Sequence, residues 1–512
     1  MTSLKLTHID EPYLEFRYGQ QLYYPRDGLF LYGPVDGGRP EVHYGAIGTP
    51  AGVARLQHWA QTVGGFLPPP PLRRGARAVE PQHVAFPGFA PAFNAAWPTK
   101  PRTTITAIDQ QALSRALHIA NRHEAIKAAV DLYVTPLLTA TVRLEDPPSF
   151  WFVVIPEEVY ELGRPLSRVS AKERIQGEVQ MTKDQALKLE AEPTLFGLEQ
   201  AEADIYRYSV HFRRQLKARL LADKVVTQIV RETTLAPGDF LKSDGNPKRR
   251  LEDPATIAWK LSTSAYYKAG GRPWQLADVR PGVCYVGLAY KRRDASPDDR
   301  FACCAAQMFL SSGEGVVFRG ALGPWYRADS KQFHLDEASA RSLVELVIRE
   351  YSAQHDNQPP RELFLHATSS FTDEEWNGFK AAAPNTNVVA VQIADARDRI
   401  KLFRPGRYPV VRGTALIVNN TQAYLWTSGY TPRLDTYVGP ETPNSVFVRI
   451  QKGECDLHTV LYDIMGLTKI NFNSCLHNDR LPVTIRFANA VGEIMLAAPQ
   501  TGEPKLPFKF YI

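Results

Sequence analysis

The run "FWFVVI", residues 150–155, constrains the fold more than any other stretch of the chain. Six consecutive apolar residues closed by Pro156 are typical of a strand that is buried on both faces. Helical patterns surround it, among them "TPAGVARLQHWAQTV", in which Thr49 predicts an N-cap and Pro50 the first helical position. We also expect short strands in "YLEFRYGQ" and "GLFLYGPVD". This alternation favours a layered α/β domain with a parallel sheet.

The pattern changes from about residue 282. Strand-like segments such as "GVCYVGLAYKRR", "ELFLHATS" and "NVVAVQIAD" follow one another, with a helical segment "DEASARSLVELVIREYSAQ" among them. We therefore predict two domains, residues 1–276 and 277–512, with the second also of mixed α/β type.

Composition narrows the class of protein only moderately. The chain has 512 residues, of which 44% are hydrophobic and 22% charged, which excludes a mainly disordered protein. The net charge of +6 permits nucleic-acid binding without requiring it. The five cysteines show no metal-binding spacing and suggest reduced thiols. We see no signal peptide and no apolar run of about 20 residues, so we expect a cytoplasmic protein without a membrane span.

The segment "HFRRQLKARLLADKVVTQIVRE", residues 211–232, concentrates basic residues. Apolar residues at helical spacing predict one helix through 205–220, and a strand containing Gln228 follows. Arg213 and Lys217 are four residues apart, so they project from one face and repel each other unless an anion lies between them. A guanidinium fork, an ammonium and an amide are the groups that hold a phosphate. A solvated basic helix is the alternative.

A second basic position closes the next helix. "DPATIAWKLSTSAYYKAGGRPW" predicts a helix from about Ala255 to Lys268, ended by "AGG" because glycine adopts the left-handed C-cap conformation. Lys268 in the last turn complements the helix dipole, which is its alternative role.

The ordered set of Arg213, Lys217, Gln228 and a helix ending in Lys268 resembles the MID domain of Argonaute proteins. Nearly the whole chain resembles the short prokaryotic Argonautes. The resemblance implies a Rossmann-like MID domain followed by an RNase H-like PIWI domain. It also implies that these four residues hold the 5′ phosphate of a guide strand, with Lys260 and His211 as additional candidates. In that family a Mg²⁺ ion at the phosphate is reached by the C-terminal carboxylate, here that of Ile512, and Gln228 is a further candidate ligand.

The resemblance also implies that this chain does not cleave nucleic acid. Cleaving relatives place Asp, Glu, Asp and a further Asp or His around two divalent ions, which need carboxylate ligands. The matching positions here carry Ala289, Thr368 and Asn489. Glu314 is a single carboxylate, equally typical of a turn. We expect backbone contacts to nucleic acid from Lys291, Arg292, Arg293, Arg404, Arg407, Asn471 and Asn473.

The expected function is therefore that of a sensor. The resemblance implies that a small guide RNA pairs with a single-stranded DNA target, and that a separate APAZ-containing partner carries a TIR, Sir2 or nuclease effector in a heterodimer. Two alternatives stay open: an autonomous guided nuclease with unrecognised metal ligands, and an α/β protein that binds a small phosphate ligand. Against the second alternative, the sequence lacks the glycine-rich motifs that are typical of nucleotide-binding loops.

Overall fold

The fold is taken from a computed structural model. It describes residues 5–71, 81–191, 197–278, 280–291, 302–309, 315–323, 326–327, 332–397, 399–437, 441–499 and 506–512. The helices in these ranges are α1 (Pro25–Leu31), α2 (Pro50–Gly64), α3 (Phe89–Phe93), α4 (Gln110–Leu117), α5 (Arg122–Arg143), α6 (Glu157–Leu162), α7 (Lys183–Ala191), α8 (Gly197–Ile205), α9 (Phe212–Leu220), α10 (Glu232–Leu235), α11 (Pro254–Lys268), α12 (Glu337–Ala353), α13 (Asp373–Ala382), α14 (Leu457–Leu467) and α15 (Val483–Met495).

The strands form two large sheets and several short pairings. They are β1 (Lys5–His8), β2 (Leu14–Glu15), β3 (Gln21–Leu22), β4 (Arg39–Glu41), β5 (Tyr44–Ile47), β6 (Ala95–Ala96), β7 (Thr103–Ile105), β8 (Phe150–Ile155), β9 (Thr227–Arg231), β10 (Gln275–Leu276), β11 (Val283–Lys291), β12 (Ala302–Phe309), β13 (Gly315–Gly323), β14 (Tyr326–Arg327), β15 (Gln332–Phe333), β16 (Glu362–Ala367), β17 (Asn387–Asp395), β18 (Thr414–Asn419), β19 (Gln422–Leu425), β20 (Val446–Lys452) and β21 (Leu506–Pro507).

The first sheet is parallel throughout, in the order β7-β5-β8-β9. Every residue of β8 is buried. Phe150, Phe152 and Val154 face one apolar cluster that includes helix α2, whereas the alternate residues of β8 face a second cluster with α4, α5 and α9. Helices thus cover both faces of this strand, and the predicted parallel α/β layer is confirmed.

The helix ends follow their local sequence. The Oγ1 atom of Thr49 accepts a hydrogen bond from the Gly52 amide at 3.0 Å, so the predicted N-cap of α2 is confirmed. Helix α11 ends at Lys268, and Gly270 follows with a φ of +93°. The strand predicted in "GLFLYGPVD" is wrong, because α1 runs through its first half, with Pro25 in the first turn.

The second sheet has ten strands in the order β1-β18-β19-β20-β17-β16-β11-β12-β13-β21. At its centre β11 is antiparallel to β12 and parallel to β16, and β16 is parallel to β17. Helix α15 crosses β11 at Gly287, where a Cβ atom would lie 1.8 Å from the carbonyl oxygen of Thr484. Only glycine allows this close approach of the helix backbone to the strand.

The N-terminal segment belongs to two places in the fold. Strand β1 pairs with β18 at the edge of the second sheet, although the sequence division at residue 276 assigns it to the first domain. Strand β2 pairs with β10, next to that division. The beginning of the chain therefore joins the two halves.

Helix α5 is long and apolar enough, by length and composition, to cross a membrane. In this structure 39% of its most apolar stretch is buried, and the helix packs against α4 and α9. A core helix of a layered domain has the same properties.

Candidate anion-binding cavity

Two buried lysines from different helices converge at the start of strand β9. The side chain of Lys217 comes from α9 and that of Lys268 from the last turn of α11, and both residues are at most 2% exposed. Both Nζ atoms donate to the main-chain oxygen of Thr227, at 3.1 and 2.9 Å. The distances from the two Nζ atoms to the main-chain oxygen of Ile512 are 2.6 and 2.8 Å. Lysines predicted from separate stretches of sequence thus occupy one site.

Gln228 lies beside these amines. Its Oε1 atom accepts hydrogen bonds from Lys268 Nζ at 2.6 Å and from Ser264 Oγ at 2.7 Å. The same Ser264 hydroxyl lies 3.1 Å from Oδ1 of Asn473, which comes from the loop after α14. The amide of Gln228 is therefore held by Lys268 and Ser264, and the second half of the chain contributes Asn473 to the same group of side chains.

A cavity of about 740 Å³ opens beside this group. Its lining includes the basic side chains of Arg164, Arg213, Arg214, Lys217, Arg231 and Lys268. None of the described residues that line it is an Asp or a Glu. Two of these six side chains, Arg214 and Arg231, pair with Glu493 and Glu157 outside the lining, so the other four exceed the one negative charge that a carboxylate at Ile512 would add. The volume is typical of ligand sites, and the charge favours an anion.

The two lysines have unusual electrostatics. Burial lowers the pKa of Lys217 well below its ordinary value, and the nearby charge of Arg213 lowers this pKa further. The pKa of Lys268 is lowered by burial first, and then by the charges of Lys217 and Arg213. Repulsion among three cations opposes the charged form of each. A bound anion would relieve this repulsion, so the site is prepared to take one.

His211 and Arg213 complete this end of the cavity. The predicted single helix over 205–220 is wrong, since α8 ends at Ile205 and α9 begins only at Phe212. The break puts His211 at the N-terminus of α9, where its Nδ1 atom is buried without a hydrogen-bond partner in the described chain. Burial and the neighbouring arginines lower the pKa of His211 to about 4, so it is neutral near pH 7. Burial first, and then the charge of Arg214, lower the pKa of Arg213, whereas the nearby charge of Glu493 raises it.

Another part of the cavity wall is not predicted by the sequence patterns. The guanidinium carbons of Arg164 and Arg231 lie 3.5 and 3.4 Å from the ring centroid of Tyr160, one contact each. Arg231 is also held by the carboxylate of Glu157. Glu157, Tyr160 and Arg164 follow the carboxyl end of β8, and Arg231 is the last residue of β9. Open α/β sheets bind ligands at this edge. The sequence signal that could have identified Tyr160 and Arg164 is their position shortly after the buried strand "FWFVVI".

The cavity does not form a Mg²⁺ site by itself. Mg²⁺ requires near-octahedral oxygen ligands, usually with carboxylates. The predicted ligands are Gln228 and Ile512, but the Gln228 Oε1 atom already accepts two hydrogen bonds and the Ile512 oxygen already accepts two from lysines. The donor set of the described cavity therefore fits an anion directly bound by cations better than a metal held by the protein.

Two of the other predicted residues lie elsewhere. Lys260 does not line the cavity; its Nζ atom pairs with the carboxylate of Glu252 at 2.6 Å. Asn471 is 7% exposed and donates to Asp479 at 2.7 Å, which indicates a structural role in the loop that presents Asn473. Only the second of the two predicted asparagines reaches the cavity.

The predicted backbone contacts are dispersed. Lys291 ends β11, and its Nζ atom lies 3.6 Å from the carboxylate of Glu493. Arg404 and Arg407 are exposed, and their guanidinium groups lie near the rings of Tyr430 and Tyr408, one each. Arg292 and Arg293 lie outside the described residues.

The three positions matched to metal ligands approach one another at the centre of the second sheet. Ala289 and Thr368 lie one residue beyond the paired Leu288 and Ala367 of β11 and β16. Asn489 is on α15, which packs on β11, and its Nδ2 atom donates to the Ile485 carbonyl at 3.0 Å. Within the described ranges, no three His, Cys, Asp or Glu residues are grouped closely enough to hold a metal ion. Glu314 lies outside those ranges.

Comparison with known proteins rests on structure alone, because no family model and no curated protein matches this sequence. The fold is similar to that of Clostridium butyricum Argonaute bound to a guide DNA and a 19-mer target DNA, with 12% identity and a TM-score of 0.58 over 100% of this chain and 55% of that one. It is also similar to Aa-Ago with externally bound siRNA, with 13% identity and a TM-score of 0.55 over 99% and 56% of the two chains. For A. aeolicus Argonaute the identity is 12% and the TM-score 0.54, over 98% and 54%.

The class defined by the fold is thus a two-part α/β protein with a parallel sheet and a larger mixed sheet. More particularly, the chain has an Argonaute-like fold, and the predicted fold class, a MID-like part followed by a PIWI-like part, is confirmed. The chain spans about 55% of the length of these Argonautes.

Proposed function

We propose that this chain binds a guide strand by its 5′ phosphate in the basic cavity. The observation that carries the proposal is the convergence of Lys217, Lys268 and Gln228 at one end of the cavity, with Arg213 on its wall. A terminal phosphate supplies up to two negative charges and three acceptor oxygens. These match the ammonium, guanidinium and amide donors. The remaining volume, with Tyr160 in its lining, accommodates the attached nucleotide.

The paired strands would extend from the cavity over the second sheet. Lys291, Arg404 and Arg407 supply positive charge there for contacts with the sugar-phosphate backbone. Such contacts carry no sequence information, so pairing with the guide selects the target. The comparison with an Argonaute bound to guide and target DNA supports this division of labour through the shared fold.

We further propose that the chain senses its target without cutting it. Ala289 has no metal-binding atom, and Thr368 and Asn489 have no carboxylate, so these positions lack the negative charge that two divalent ions require. The chain would then be the short prokaryotic type of Argonaute. A guide RNA recognises single-stranded DNA, and an APAZ-containing partner with a TIR, Sir2 or nuclease effector supplies the chemistry.

Binding of defined oligonucleotides tests the cavity assignment. We expect the purified chain, with its partner where one co-purifies, to bind a 5′-phosphorylated RNA more tightly than the same RNA with a 5′ hydroxyl. Sequencing of co-purified nucleic acid should return short strands with 5′ phosphates. Equal affinity for the two ends, together with no co-purified short strands, would favour a small-phosphate ligand instead.

A cleavage assay tests the sensor assignment separately. The chain is loaded with a 5′-phosphorylated guide and given a complementary labelled DNA in Mg²⁺ or Mn²⁺. We expect the target to remain intact. Cleavage at a fixed distance from the guide end, retained after removal of any partner, would show an autonomous nuclease.

A further inference from the structure

Three charged side chains meet where the two halves of the chain join beside the cavity. Arg214 of α9 lines the cavity and donates from Nη2 to Oε2 of Glu493 on α15, at 2.6 Å. Lys291 at the end of β11 approaches the other oxygen, Oε1, at 3.6 Å. Each side chain is about one third exposed. One carboxylate therefore bridges a cation from the first half and a cation from the second.

The position of this triad relates it to the path of a bound strand. Arg214 is next to Arg213, on the wall of the cavity that contains Lys217. On the other side, Lys291 is two residues beyond Ala289 on β11, and Glu493 is one helical turn beyond Asn489 on α15. Under the proposed function, a strand that leaves the cavity toward the second sheet would pass this point.

We propose that Arg214 and Lys291 form a second phosphate site, for an internal phosphodiester, and that Glu493 occupies it when no strand is bound. A carboxylate and a phosphodiester each carry one negative charge on two oxygens, and an arginine fork binds either. The proposal rests on the proposed function for the direction of the strand. What the proposal adds to that function is an internal carboxylate, that of Glu493, which nucleic acid must displace in order to bind.

Partial exposure makes this exchange feasible. Ion pairs at such sites contribute little net free energy, since solvent screens them and ordering two long side chains costs entropy. The phosphodiester adds counterion release, which the internal carboxylate cannot provide. Glu493 therefore prevents the two cations from repelling each other in the free protein, and it weakens binding of any strand, whatever its 5′ end.

The test is the affinity for a single-stranded RNA with either a 5′ phosphate or a 5′ hydroxyl, measured for the full chain by fluorescence anisotropy over a range of salt concentrations. We expect Glu493→Gln to tighten binding of both RNAs by about two- to fivefold, the range of a released surface ion pair. Glu345→Gln makes the same change of charge on α12, where Glu345 pairs with Arg341, and should have no effect. Arg214→Gln should weaken both RNAs and lower the slope of log K against log salt by about 0.7, because one phosphate is no longer neutralised.

A double variant keeps the test decisive. In the Arg214→Gln, Lys291→Gln background, Glu493→Gln should no longer tighten binding. Glu493→Gln that weakens or does not change binding in a protein with an unchanged melting temperature would overturn the proposal. So would a weakening in Arg214→Gln confined to 5′-phosphorylated RNA, which would place Arg214 in the terminal-phosphate site. Tightening by Glu493→Gln without any preference for a 5′ phosphate would support this site while contradicting the proposed function.

Discussion

Lys217→Met is the sharpest test of the cavity. The substitution removes the ammonium but keeps a side chain of similar length in a position that is 2% exposed. The acceptors it leaves are largely satisfied, because Lys268 donates to the same main-chain oxygens of Thr227 and Ile512. Burial already disfavours the charge, as its lowered pKa shows. We therefore expect the free energy of unfolding to change by less than about 1 kcal/mol, below the cost of leaving a buried partner unsatisfied.

The effect on phosphate binding should be much larger. A hydrogen bond to a charged group contributes about 1.5–3 kcal/mol, which corresponds to about 10- to 150-fold in affinity. That decrease in affinity should appear only for the phosphorylated end. The assay measures the ratio of the dissociation constants for 5′-hydroxyl and 5′-phosphorylated forms of one RNA. We expect this ratio to fall by about 10- to 150-fold in Lys217→Met.

Lys260→Met is the matched control. Lys260 pairs with Glu252 outside the cavity, so the same chemical change there should leave the ratio of dissociation constants unaltered. An equal decrease in affinity for both RNAs in Lys217→Met, at unchanged melting temperature, would refute the assignment of Lys217 to the terminal phosphate. A fall of the ratio in Lys260→Met would place the phosphate elsewhere on α11.

Three further predictions concern pH, packing and backbone contacts. The pKa values of Lys217 and Lys268 are lowered, so both side chains lose their charge at a lower pH than exposed lysines, whose pKa is about 10.4. The preference for a 5′ phosphate should therefore decline as the pH rises, well below that value. Titrations of affinity in which the preference stays constant up to about pH 10 would contradict this. Gly287→Ala should lower stability by about 1–3 kcal/mol or more because its Cβ would meet the backbone of Thr484, whereas Gly64→Ala, with open space around it, should cause no decrease in thermal stability. Arg404→Gln combined with Arg407→Gln should weaken guide–target duplex binding and its salt dependence without changing the preference for a 5′ phosphate; an unchanged salt slope would remove these arginines from the interface.

The sequence is informative where chemistry and spacing coincide. Lys217 and Gln228 can be placed together because a helix followed directly by a strand leaves them few relative positions. Lys268 can be added only through a family resemblance, since nothing in the spacing shows that the end of α11 meets the start of β9. The contact with Thr227 that joins both lysines is a main-chain contact, which no residue pattern encodes.

The features that the sequence does not predict have equally specific causes. The contacts of Tyr160 with Arg164 and Arg231 bring helix α6 and the loop after it to the end of strand β9, more than 60 residues later in the chain. Helix α1 resembles a strand in the sequence because its apolar residues form a short run, which does not distinguish the two conformations. The sequence of α9 alone indicates that Arg214 is a solvated or partner-facing charge. Its ion pair cannot be predicted from spacing, because its partner, Glu493, is far away in the chain, on α15.

The cavity belongs to neither half of the chain alone. The first half of the chain supplies the lysines and arginines from α9 and α11, whereas the second half supplies Asn473 and Ile512. A ligand that fills it therefore contacts both halves at once. Its affinity must depend on their relative position, and by reciprocity its presence must bias that position. In the proposed function, a duplex on the second sheet would act on the same junction through Lys291 and Glu493, which pairs with Arg214. Under the proposed function, the terminal phosphate and the paired target would therefore be coupled through this junction, which is the property that a chain reporting pairing to a partner would need.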